Sequence, residues 1–422
     1  MLTYGNKSLI DKGGFSSVAT PRHFKNLIRL LFLYQDYNFS YQVFFLLRFM
    51  DGKTSDEDLK CKFKERFSIE LTDNDFTRLI HTLREHRLVV KKNNNYLLSK
   101  LSYLFQVQLF RKCSSLFKKA KINDAMFNGV LYGARPKDLK RELRLCFNSV
   151  NKKKLCRILG KINTLKGVIV PHSNIELSGS CAAWAYKAIE IMGLPDLVIL
   201  LVPNHALPLE SSPFSVCAKP LRSPLGVVKT DRYFINRLAR ECKFDIFQEE
   251  FVHIYEHAIG IQLPFLQFIY NSAHKHLLIV PVVCHLPYFR KHDKHLERPV
   301  HQFLNSLRNC IIRSRKRILV IASGDLHHQE RWRASADFHK KNQKIIQLMS
   351  KADKRLFYKY ALKSKDTHAC CKDPFLAFLE LLEPKQGLLL DYSWPSKRNA
   401  LEKIKRKKQY HSLQIGFASM VF

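Results

Sequence analysis

The sequence predicts an α/β protein, a mainly parallel sheet flanked by helices, with a smaller helical domain in front of it. Three observations carry this. From residue 167 onward short apolar runs alternate with helical patterns. Those runs, GVIV at 167–170, DLVILLV at 196–202, LLIVPVVC at 277–284 and RILVIA at 317–322, are apolar almost throughout, as strands are when helices cover both faces of a parallel sheet. Finally, 422 residues exceed what a single core usually takes, so a second domain is expected.

That second domain is placed at 1–115, followed by a Lys-bearing linker at 116–123 and the α/β domain at 124–422. Thr54-Ser55 with Asp58, and Thr72 with Asp75, have the form of helix starts. Leu59, Phe63 and Phe67, then Phe76, Leu79, Ile80 and Leu83, repeat at helical spacing. Segments 88–90 and 96–98, separated by Asn93, Asn94 and Asn95, read as a hairpin. Two amphipathic helices and a hairpin make a winged-helix-like unit. Its second helix mixes Asp73, Asp75 and Glu85 with Arg78, Arg84 and His81, which is not the basic face of a DNA-reading helix. The stretch 51–90 resembles small PqqD-type peptide-binding domains. In the α/β domain a helix is expected over 136–148, and the last segment, 412–422, reads as strand-like with Gly416 inside it.

Composition excludes several classes. No apolar run reaches the roughly 18 residues needed to cross a bilayer, and residues 1–14 lack the pattern of a secretory signal, so a soluble cytoplasmic protein is expected. Eleven cysteines without a CxxC pair indicate neither a disulfide framework nor a thiolate zinc site. The adjacent pair Cys370 and Cys371 is the one irregularity. A net charge of +35 invites a nucleic-acid reading, but the basic residues are spread along the chain, with modest concentrations at 152–154 and 403–408. Dispersed charge gives nonspecific attraction rather than a specific nucleic-acid site.

The chemistry-bearing residues sit where the strands stop. Ligand sites in parallel sheets form beyond the carboxyl ends of the strands. Three of the runs end in groups able to bind a metal: His172, His205, and Asp325 with His328. Two imidazoles and a carboxylate with open positions suit non-haem iron, and imidazole-rich sites also take zinc or copper. An uncoordinated His nearby can move protons. Glu256, His257 and Gln262 accompany a helix whose apolar face is Ile259, Leu263 and Leu266; they read equally as cleft-lining groups and as caps on a core helix. Trp184 and Tyr186 read as core, and His274, His276, His285, His292 and His295 as a solvated His-rich patch. There is no Gly-rich phosphate loop and no GxSxG turn.

Six blocks occur in one order: VPHSNIELSGSCAAWAY, VPNH, SPLGVVKTD, EHAIGIQLPFLQ, SGDLHH and HSLQIGFASMVF. In this the chain resembles, over about 125–422, the Memo family, whose bacterial and archaeal members are called AmmeMemoRadiSam system protein B. The resemblance implies a fold like the LigB-type class III extradiol dioxygenases, with a mixed sheet flanked by helices. It implies that His172 and His205 are metal or pocket histidines, that Asp325 and His328 belong to the same pocket, and that Glu256, His257 and Gln262 match the family's helix motif. His328 is the expected third ligand, with Asp325 and Glu256 as alternatives.

The implied cofactor is a divalent metal, iron first and zinc or copper after it. The implied function is metal-dependent redox or dioxygenase-like chemistry on an unidentified small molecule or peptide; the alternative is a non-catalytic peptide- or protein-binding scaffold. Radical SAM and AMMECR-type proteins are the implied partners. The sequence also departs from the family pattern. Asn174-Ile175 replaces a Gly-Tyr; Asn can still adopt the left-handed turn conformation, but the aromatic pocket wall is lost. Ala206 and Gly260 replace a His and a Glu. Arg398 is expected at the place of a pocket Cys found in some animal members, so no thiolate ligand is expected.

Overall fold

The structure, a computed structural model, describes residues 46, 50, 54–67, 71–85, 89–92, 95–98, 117, 120–124, 131–205, 212–286, 297–330, 337–363, 368–395 and 413–422. The chain forms two compact units, Met1–Ala120 and Lys121–Phe422.

In the first unit, α1 (Asp56–Phe67) and α2 (Asp73–Glu85) precede a hairpin of β1 (Val89–Lys92) and β2 (Asn95–Leu98). The hydroxyls of Ser55 and Thr72 accept from the amides of Asp58 and Asp75, at 3.2 and 3.1 Å. Those amides would otherwise be orphaned at the helix starts. Leu59 and Phe63 on α1 and Phe76, Ile80 and Leu83 on α2 are buried. Val89 pairs with Leu98 across the antiparallel hairpin.

The second unit opens with the short β3 (Asn123–Asp124), then α3 (Pro136–Asn148) and α4 (Lys152–Leu159). Next come β4 (Gly167–Val170), α5 (Ile175–Met192), β5 (Leu197–Pro203), β6 (Phe214–Val216), β7 (Leu221–Ser223) and β8 (Gly226–Thr230). The chain continues through α6 (Arg232–Glu241), α7 (Val252–Tyr255), α8 (His257–Ser272), β9 (Leu278–Cys284), α9 (Glu297–Ile312), β10 (Ile318–Ser323) and β11 (His327–Glu330). It closes with α10 (Asp337–Lys351), α11 (Lys354–Lys363), β12 (His368–Ala369), α12 (Lys372–Leu382), β13 (Leu388–Ser393), β14 (Leu413–Ile415) and β15 (Phe417–Val421).

The main sheet runs β13-β15-β4-β10-β5-β9-β8-β7-β3, with β6 on β9. β10 lies parallel between β4 and β5, and β9 is parallel to β5. β15 is antiparallel to β4, which makes the sheet mixed. Every residue of β4 and β5 is buried, because side chains alternate between two covered faces. Ile169, Ile199, Val280 and Val320 face the core formed with α6, α9 and α12, which includes Phe234, Phe303 and Phe375. α5 and α8 pack against the sheet and each other, and α3 packs on both of them. Trp184 and Tyr186 are buried in α5, as the sequence predicts.

One expectation sharpens and one changes. The C-terminal segment is two strands in different sheets, β14 beside β11 and β15 beside β4. The break falls at Gly416, where a Cβ would overlap the Asn342 side chain. The His-rich stretch is not uniformly solvated. His274 and His276 are exposed, but His285 is buried at the end of β9, its Nδ1 3.4 Å from Asn204 Nδ2. His292 and His295 lie outside the described residues. No helix among the described residues is long and apolar enough to cross a membrane.

Gly167 starts β4 because the chain there passes directly against Phe378 of α12; a Cβ would overlap the ring. Gly167→Ala is expected to lower unfolding free energy by about 1–3 kcal/mol in chemical denaturation, the usual cost of overpacking a filled core.

Candidate metal centre

The parallel register builds the site. Ser323 pairs with Val170 and Ala322 with Leu201, so the chain leaves β4, β10 and β5 at one edge of the sheet. His172 lies two residues past β4, Asp325 two past β10 and His205 two past β5.

Each imidazole is fixed through one nitrogen. His172 Nδ1 lies 3.0 Å from Ser323 Oγ. That hydroxyl accepts from Gln262 Nε2 at 2.8 Å, which also donates to Pro171 O at 2.9 Å. Tyr186 OH donates to Gln262 Oε1. Gln262 is thus wholly buried and holds His172 from behind, through Ser323.

His205 Nδ1 lies 2.9 Å from Glu256 Oε1, and the His205 amide donates to Glu256 Oε2 at 2.7 Å. Glu256 is also the N-cap of α8, accepting from the Ala258 amide at 2.9 Å, and His257 Nδ1 lies 3.3 Å from it. Burial works against ionisation of Glu256, but His205 first and then His257, as its hydrogen-bond partners, hold its carboxyl well below the usual range. An ionised Glu256 holds a proton on His205 Nδ1, so Nε2 is the nitrogen left to take a metal. The His172, His205 and His257 rings cluster with centroids 4.5–5.1 Å apart.

Asp325 is buried and ties the strand ends together. Its Oδ1 accepts from the His172 amide at 2.9 Å and its Oδ2 from Ser173 Oγ at 2.6 Å. Burial pushes its carboxyl up, against the lowering effect of His328 and these two donors.

The residue that sequence reasoning missed is Cys370. It stands just before α12, with Sγ 3.2 Å from His172 Nε2 and 3.7 Å from His328 Nε2. The Asp325 amide donates to the same sulfur at 3.2 Å, and the Cys371 amide donates to Asp325 O at 3.2 Å. Gly324 permits this approach, because a Cβ there would overlap the Cys371 backbone. Where the sequence predicts no thiolate ligand, the structure places a cysteine sulfur within reach of His172 and His328. Arg398 lies outside the described residues, and Cys370 supplies the sulfur. The signal was the Cys370-Cys371 pair itself, three residues before Pro374 in a helix start.

Ligand atoms come within 4.8 Å of one another in three sets: His172, His205 and Cys370; His205, Glu256 and His257; Asp325, His328 and Cys370. His172 and His205 share one set with Cys370, and His328 falls in another. His328 joins Asp325 on the shared sulfur. Asn174 takes the other conformation open to it. With φ at −52° it is not left-handed; its side chain caps α5 by accepting from the Leu177 amide. Gly260 leaves room beside Tyr132, whose hydroxyl would lie 3.7 Å from a Cβ there. Ala206 lies outside the described residues.

The sequence profile of the Memo-like protein family matches residues 124–405. The chain belongs to the Memo family. A MEMO1 family protein of Methanopyrus kandleri is 31% identical over 227 residues, 53% of this chain and 74% of the relative. Another, of Saccharolobus solfataricus, is 31% identical over 273 residues, 61% of this chain and 86% of the relative. One of Thermotoga neapolitana is 28% identical over 253 residues, 59% and 84% of the two chains. The Memo match thus takes in every residue of the strand-end site, from His172 to Cys370.

The Memo domain also contains a buried neutral histidine. His253 on α7 has Nε2 3.0 Å from Ser215 O, and burial pushes its pKa down from 6.5 to about 4. As pH falls from 6.5 to about 4, the unfolded chain gains a proton that the folded one does not, so stability falls across that window by roughly 3 kcal/mol. His253→Gln removes this titration, and urea unfolding at several pH values should show a flatter profile than wild type between these limits.

Proposed function

We propose that the Memo domain binds one redox-active divalent metal through His172 Nε2, His205 Nε2 and Cys370 Sγ, and uses it in oxidative chemistry on a small-molecule or peptide substrate. The observation that carries this is the convergence of these three donors within 4.8 Å, two of them oriented by partners on their other nitrogen. Two imidazoles and a sulfur do not suit calcium or magnesium, which take oxygen ligands. They suit iron, copper and zinc, and iron is the metal proposed here. Three protein ligands leave positions open, at which the bound metal supplies Lewis-acid activation and electron transfer.

The chain's own residues prepare the site. Glu256 fixes the His205 tautomer, and Ser323 with Gln262 fixes the His172 ring. His257 and His328 stand beside the ligands with imidazoles able to hold or pass a proton. Burial, with Asp325 nearby, pushes the Cys370 thiol well up, so taking up a metal displaces a proton and affinity rises with pH.

Metal analysis of protein purified without a His tag should find about one equivalent, falling below about a tenth in His172→Ala and Cys370→Ala. A wild-type content below about a tenth, unchanged in those variants, would sink the proposal. Glu256→Gln keeps a capping side chain but loses the charge that orients His205. Its metal dissociation constant, read by competition with a chromophoric chelator, should rise about 10–100-fold, the range for losing such a partner.

A further inference from the structure

We infer that the solvent face of α3 and α4 binds nucleic acid along its phosphate backbone, without reading sequence. On α3 the basic residues Lys137, Lys140, Arg141 and Arg144 follow the i, i+3, i+4, i+7 spacing that puts them on one face, and all four are exposed. The opposite face, with Leu139, Leu143 and Cys146, is buried toward α5. Lys152 and Lys153 on α4 add to the same charge, with Leu155 and Leu159 turned inward.

On the two helices themselves opposing charge is sparse, the one partly exposed carboxylate being Asp138, beside Arg135, Lys137 and Arg141. α4 contains no acidic residue. Of the two on α3, Asp138 is held by Arg135 Nε at 2.6 Å, and Glu142 is buried, accepting from the Gly133 amide at 2.9 Å. Four exposed cations therefore line one face of α3, with Lys152 and Lys153 exposed at the start of α4 one short turn later, although the chain's basic residues are dispersed in sequence. The α3 strip is about 10 Å long, roughly three nucleotide steps along one strand.

Among polyanions, nucleic acid fits better than an anionic membrane. None of the large exposed apolar side chains of the described residues lies on α3 or α4, so this face has nothing to insert among lipids. Its exposed neighbours Asn148 and Asn151 carry amide donors of the kind that contact phosphate oxygens. The surface shares no side chain with the metal centre.

The test uses the full chain, fluorescence anisotropy and a labelled mixed-sequence oligonucleotide of about 20 nucleotides, single-stranded and duplex, with anionic phosphatidylserine vesicles as a parallel arm. One variant carries Lys137→Glu, Lys140→Glu, Arg141→Glu and Arg144→Glu. A control carries Lys340→Glu, Lys344→Glu, Lys351→Glu and Arg355→Glu, exposed positions on α10 and α11 with the same change in net charge. Wild type should bind both oligonucleotides, with affinity falling steeply between about 50 and 200 mM salt. The α3 variant should lose more than about tenfold in affinity and the control less than about threefold, since only the former removes phosphate contacts. Equal losses in the two variants, no binding by wild type at low salt, or binding to vesicles alone would each overturn the inference. If circular dichroism shows the α3 variant unfolded, the Lys140→Gln, Arg144→Gln double variant takes its place under the same criteria.

Discussion

A buried carboxylate, that of Asp325, is the constraint on which the geometry of the centre depends. An ionised group in such a place is expensive unless hydrogen bonds replace its water. Here the His172 amide and Ser173 hydroxyl fill its two oxygens, while its own amide reaches Cys370 Sγ and its carbonyl receives the Cys371 amide. One residue thus fixes the turn after β4, the end of β10 and the entry to α12. His172 and Cys370, 198 positions apart in sequence, are held 3.2 Å from each other as a consequence.

The same economy appears on the other side of the pocket. Glu256 caps α8 and orients His205 with one carboxylate, so the helix start and the ligand position are set together. Gln262, one and a half turns further along, carries the parallel task for His172 through Ser323. The helix that covers the sheet is therefore also the frame of the site. Residues of the EHAIGIQLP block have both roles, which is why their chemistry and their packing cannot be separated by pattern alone.

Much of this was legible in the sequence. Uniformly apolar runs predict a sheet covered on both faces, and the parallel edge of such a sheet gathers whatever follows each strand; His172, His205 and Asp325 emerge from that reasoning. Cys370 does not, because it follows no central strand of the main sheet. It arrives from the loop before α12, and its neighbour Cys371 belongs to the apolar core, so nothing in the pair says which sulfur faces the pocket. The role of Asn174 stays open in the sequence for a similar reason, since Asn serves both as a left-handed turn residue and as a helix cap, and only the fold chooses. His285 looks solvated amid its neighbours, yet the end of β9 buries it. The +35 charge looks dispersed until helical spacing gathers part of it on α3.

The central claim is that sulfur from Cys370, with His172 and His205, is a metal ligand, and cobalt substitution tests it most directly. Cobalt(II) added to the metal-free protein should give an intense near-ultraviolet thiolate charge-transfer band, together with the visible absorption of a low-coordinate site. Cys370→Ser should abolish the charge-transfer band while Cys371→Ser keeps it. A spectrum without that band in the wild type, or one that survives Cys370→Ser unchanged, would contradict the account.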